Sequence, residues 1–120
     1  MYKESRCLGF CFLLLTVALA PMPGWGAPLL VKDINTAGST TPASPSSLTN
    51  VNGTLFFRAY DDVHGYELWK TDGTAMGTVV VKDINPGPAD GYPFALTNIN
   101  GTLYFAARDG LNGTELWKND

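Results

Sequence analysis

The sequence predicts an all-β protein: two tandem four-stranded antiparallel repeats, each blade-like and part of a larger array. Three observations predict it. A block of residues returns forty-eight to fifty positions later, an Asn-Gly pair sits between apolar runs in each copy, and apolar side chains occupy both faces of one strand.

The repetition is direct. Val31-Lys32-Asp33-Ile34-Asn35 returns as Val81-Lys82-Asp83-Ile84-Asn85, and Glu67-Leu68-Trp69-Lys70 returns as Glu115-Leu116-Trp117-Lys118. Between them, the stretch from Leu48 to Phe57 returns from Leu96 to Phe105. The offsets differ by two residues, and the difference falls in Thr36 to Ser47 against Pro86 to Ala95. Length variation in a polar, proline-bearing stretch is what a surface loop tolerates.

Each copy reads as four strands. Leu29 to Ile34 and Val79 to Ile84 form the first, and Ser47 to Val51 and Ala95 to Ile99 the second. Thr54 to Tyr60 and Thr102 to Arg108 form the third, Tyr66 to Thr71 and Thr114 to Asn119 the fourth. Asn52-Gly53 and Asn100-Gly101 join the second strand to the third, because a two-residue hairpin turn needs residues that accept positive φ. Alternation puts Leu55, Phe57 and Ala59 on one face, with Phe56, Arg58 and Tyr60 on the other. A strand apolar on both faces belongs to a sheet covered on both sides. Four strands in about 40–50 residues is the size of a propeller blade.

Residues 1–26 read as a secretory signal: Lys3 and Arg6, an apolar run from Leu8 to Ala20, then a Pro/Gly exit. The run is shorter than the roughly 20 residues a spanning helix needs. Cleavage after Gly26 and cleavage after Ala20 both fit. The expected organisation is a signal at 1–26, a first repeat at 27–78 and a second at 79–120, with the chain secreted or held at the cell surface. Cys7 and Cys11 both lie in the signal, so disulfides are not expected to brace the remainder. Without Lys3, Glu4 and Arg6 the remainder carries six basic and ten acidic side chains, a net charge of −4. That balance argues against nucleic acid or an anionic membrane surface as a partner.

Glu67-Leu68-Trp69-Lys70-Thr71-Asp72-Gly73-Thr74, with Gly77-Thr78 and Val81-Lys82-Asp83-Ile84 after it, resembles the ELWxxDGT repeat of large exported bacterial proteins. The resemblance runs from about Leu29 to Asp120. It implies a propeller-like array, commonly with more than two copies, and no established enzymatic activity or ligand. The motif breaks off at Lys118-Asn119-Asp120, where Gly-Thr would follow. The expectation is therefore a piece of a longer array or a half-array that must associate, the first being favoured.

Few residues suggest chemistry. Trp69 and Trp117 could stack on a ligand such as a sugar, but a large aromatic repeated at one strand position more often packs against a neighbouring sheet. Asp61, Asp62, Asp109 and Asn112 are candidate calcium ligands. Calcium wants about 6–8 oxygens, Gly110 replaces Asp62 in the second copy, and turn acids more often cap their own backbone. Asp33, Asp72 and Asp83 read as turn acids in the same way. His64, the one histidine, sits in a turn with no nucleophile paired to it. No catalytic residue and no cofactor are expected. The functional expectation is an exported, non-catalytic binding, adhesion or scaffold array whose partners are other copies of the repeat, glycan or protein. Its contact surface would be Thr36 to Ser47 and Pro86 to Ala95. The alternative is a propeller-type hydrolase of extracellular polysaccharide that depends on Glu67 or Asp62.

Overall fold

The structure, a computed structural model, describes residues 26–36 and 38–120. Apart from Gly26, the signal reading lies outside the described residues.

Seven strands and no helix make up these residues: β1 (Ser46–Val51), β2 (Thr54–Asp61), β3 (Gly65–Thr71), β4 (Val79–Lys82), β5 (Phe94–Ile99), β6 (Thr102–Arg108) and β7 (Thr114–Asn119). They form two antiparallel sheets, β1-β2-β3-β4 and β5-β6-β7. The chain is all-β. The same register recurs in both sheets: Phe57 faces Trp69 and Ala59 faces Glu67 in one, Phe105 faces Trp117 and Ala107 faces Glu115 in the other.

The β1–β2 and β5–β6 hairpins turn where the Asn-Gly pairs predict. Asn52 and Gly53 have φ of 50° and 86°, Asn100 and Gly101 of 50° and 87°. Less expected is the irregularity at the head of β1 and β5, where the register shifts between Ser46 and Thr49 and between Phe94 and Thr97. Ser47 and Ala95 there hold left-handed φ of 57° and 55°, costly for residues with a Cβ and sustained only where neighbours enforce it. After β3, Asp72 closes the turn by accepting from the Thr74 amide at 2.9 Å and its hydroxyl at 2.7 Å. Those bonds hold its carboxyl below the usual range.

Two corrections concern the outermost strand. Leu29 to Ile34 is not a strand: residues 26–33 have no regular structure, and Leu29 and Leu30 are exposed. Its counterpart, expected from Val79 to Ile84, forms one only over Val79–Lys82, as β4, and it pairs with β3 and so completes the first sheet. A strand exists only beside a partner. β4 finds one, Leu29 to Ile34 does not, and the second sheet holds three strands instead of the four expected.

The core follows from the alternation. Val51, Phe56 and Leu68 of the first sheet pack with Ile84 and with Leu103, Phe105 and Ala107 of the second. On the other face of the first sheet, Phe57, Ala59 and Trp69 form a smaller cluster with Ile34, Leu55 and Val80.

Candidate functional site

The most developed polar arrangement is the joint between the sheets. Glu67, on β3, is 0 % exposed. Its Oε2 accepts from the Ile84 amide at 3.1 Å, and its Oε1 accepts from Asn85 at 3.2 Å and Gly91 at 2.9 Å. One carboxylate thus gathers three backbone donors from the segment that leads from β4 into β5. Asp90 accepts from the Tyr66 amide at 2.9 Å, and the Tyr92 amide donates to the Tyr66 carbonyl at 2.9 Å. Gly91 is required by proximity: a Cβ there would stand 2.5 Å from Glu67 Oε1. Burial pushes the Glu67 carboxyl above its ordinary value; the three amides oppose the shift and nearby Asp83 adds to it.

Beside the joint, aromatic and cationic groups interleave. The Arg58 guanidinium lies 4.2 Å from the Tyr92 ring centre and 5.5 Å from that of Tyr66, and Arg108 lies 5.5 Å from Tyr92 on the second sheet's side. Tyr66 is 5.2 Å from Tyr60 and 5.7 Å edge-on from Tyr92. Such contacts add about 0.5–1 kcal/mol each where partly exposed. An open cleft of about 420 Å³ adjoins them, lined by Asn85, Asp90, Arg108, Gly110 and Gly113.

The second sheet repeats the residues of the joint without the partner. Glu115, the counterpart of Glu67, is exposed. Leu68 is 1 % exposed but its counterpart Leu116 is 77 %, and Val51 at 7 % corresponds to Ile99 at 51 %. The uncovered face holds an apolar groove of about 440 Å³ lined by Ala95, Thr97, Ile99, Tyr104, Ala106 and Leu116, among others.

The residues singled out from sequence separate clearly. Trp69 is 5 % exposed and packs with Phe57 and Ala59, so its ring offers no stacking face here. Trp117 is half-buried, donates to the Ala107 carbonyl at 3.2 Å and has the Lys82 ammonium 5.0 Å from its ring centre. Asp61 Oδ1 accepts from the Val63 and His64 amides at 2.9 and 2.6 Å, and its Oδ2 lies 2.8 Å from the His64 ring. Asp109 accepts from the Leu111 and Asn112 amides and from the Asn112 side chain, which lower its carboxyl pKa. These acids are spent on their own turns, and Asp62 stands exposed. Among the described residues no group of three or more His, Cys, Asp or Glu could hold a metal ion.

Sequence reasoning treated Glu67 and Glu115 as equivalent and overlooked Gly91 and Asp90. The available signal was an acid inside a strand with apolar residues on both faces, which needs buried donors if it is covered. Compared with protein-family models, curated proteins and solved structures, the chain matches none.

Proposed function

We propose that the chain is an exported, non-catalytic β-repeat module of the ELWxxDGT kind, whose blade-like sheets stack in propeller fashion into an extracellular binding or scaffold array. The observation that carries this reading is the joint at Glu67. A buried carboxylate with three backbone donors fixes one sheet on the next, and the second sheet carries the same residues again. A unit that repeats its own connector suits an array. The hydrolase alternative loses its best acid, because Glu67 is enclosed by backbone and has no face toward a substrate.

The contact surface in this reading is the pair of loops 36–47 and 86–95, which differ far more between copies than the framework does. Exposed Tyr92, flanked by Arg58 and Arg108, supplies an aromatic and cationic feature for glycan or protein. The test is a glycan and cell-surface binding survey with the chain recovered from the medium of an exporting host. Binding that leaves the polysaccharide intact and falls on Tyr92→Ala supports the reading. Release of reducing ends, or a chain that never leaves the cytoplasm, defeats it.

A further inference from the structure

Building on that array reading, we propose that the chain associates head to tail with a second copy of itself, whose segment Leu29–Asn35 adds as the fourth strand beside β7. The joint inside the chain is the template. There, Val79–Lys82 lies against β3 with Leu68 opposite Lys82, Trp69 opposite Val80 and Lys70 opposite Val79. Shifted by the repeat offsets, Leu116 stands opposite Lys32, Trp117 opposite Leu30 and Lys118 opposite Leu29 of the second copy. The five residues from Val31 to Asn35 are identical to those from Val81 to Asn85.

The incoming segment is already held in the required place. Ile84 packs with Phe105 and Ala107, and Lys82 stands over Trp117. Ile34 packs in the same way with Phe57, Ala59 and Trp69, while Lys32 is fastened to the Thr78 carbonyl at 2.8 Å. The segment therefore lies on its own sheet as its counterpart lies on the second sheet, with Leu29, Leu30 and Val31 at 87, 82 and 43 % exposure. Among the described residues the Ile34 and Asn35 amides have no acceptor, and they are the counterparts of two of the three donors to Glu67. Exposed Glu115 is the acceptor they lack. Leu116 and Ile99, uncovered on the receiving face, then regain the burial that Leu68 and Val51 already have.

The copies are not equivalent at the third donor. Ala43 stands where Gly91 does: the Tyr60 amide donates to the Ala43 carbonyl at 2.8 Å as the Arg108 amide donates to that of Gly91 at 2.8 Å. A Cβ at Gly91 would stand 2.5 Å from the carboxylate, so Ala43 keeps the Glu115 carboxylate off this third amide. The joint between copies is weaker than the joint within the chain, and Ala43→Gly strengthens it. A head-to-tail contact closes into a ring or runs on as a filament, and closure at about 4–8 blades takes about two to four copies.

The test is the solution mass of the whole exported chain by light scattering over a concentration series. We expect association below about 100 μM that weakens about tenfold on Glu115→Ala, is abolished by Leu116→Lys, and tightens on Ala43→Gly. Leu116 and Glu115 are exposed in the single chain, and a cooperative urea melt, taken at a concentration where the parent is monomeric, verifies that each variant folds. Should Leu116→Lys not fold, Glu115→Ala and Ala43→Gly decide alone. A chain that stays monomeric at about 100 μM, or an assembly indifferent to all three substitutions, overturns the proposal. A monomer that still binds glycan defeats association while leaving the binding function standing.

Discussion

Glu67 and Glu115 are the same residue in the same register with opposite surroundings, which makes them a controlled comparison. Glu67→Ala strands two buried amides and one part-buried amide, and about 3 kcal/mol of lost stability is expected at neutral pH, since each unsatisfied buried donor costs about 1–3 kcal/mol and relaxation recovers part. Glu115→Ala should lie within about 0.5 kcal/mol of the parent in the monomer. Urea melts of the two variants, compared directly, check this; equal effects would remove the joint from the stability of the fold. The pH dependence carries opposite signs at different acids. The folded pKa of Glu67 is raised, so the native state holds its proton more tightly, and stability falls as pH rises from the ordinary carboxyl value through the raised one. For Asp72 and Asp109 the folded pKa is lowered, so their contribution is present above the ordinary carboxylate value and is lost as pH falls through the folded pKa. Melts across this acid range should lose the Glu67 slope in Glu67→Gln and keep the other. Turn acids such as Asp72 and Asp109 were legible because their partners lie two or three residues away. Glu67 was not, because its donors lie seventeen to twenty-four residues further on.

Strands and hairpins were the most legible part of the molecule. β6 and β7 match the expected bounds, and β1, β2, β3 and β5 differ by one residue. The reason is local: Asn-Gly needs no tertiary help to turn, and two-residue alternation is read along the chain itself. Gly53→Ala, at φ of 86°, should cost about 1 kcal/mol or more with open space around the new methyl, a purely conformational effect. A smaller loss in a thermal melt would mean the hairpin relaxes to another turn. The outermost strand was where reading failed. Two nearly identical segments took different states because only one has a strand beside it, and pairing is a property of two elements.

At the scale of the whole chain, the two sheets share one core, so Leu103, at 0 % exposure between them, stabilises both. Leu103→Ala should cost about 2–5 kcal/mol and lower a single calorimetric transition; two separate transitions would mean that the sheets unfold independently. Apolar residues on both faces signalled that the sheets are covered, but the uncovered face at Leu116 was invisible, since nothing in that side chain differs from Leu68. The strand β4 has one more consequence. The written block and the folded sheet are out of step by one strand, for the segment that opens the second block, Val79–Lys82, completes the first sheet. A gene segment duplicated at the border before Val79 would deliver its own fastening to whatever stands upstream. Such a lineage could lengthen copy by copy, with no stage at which a new member hangs loose from its predecessor.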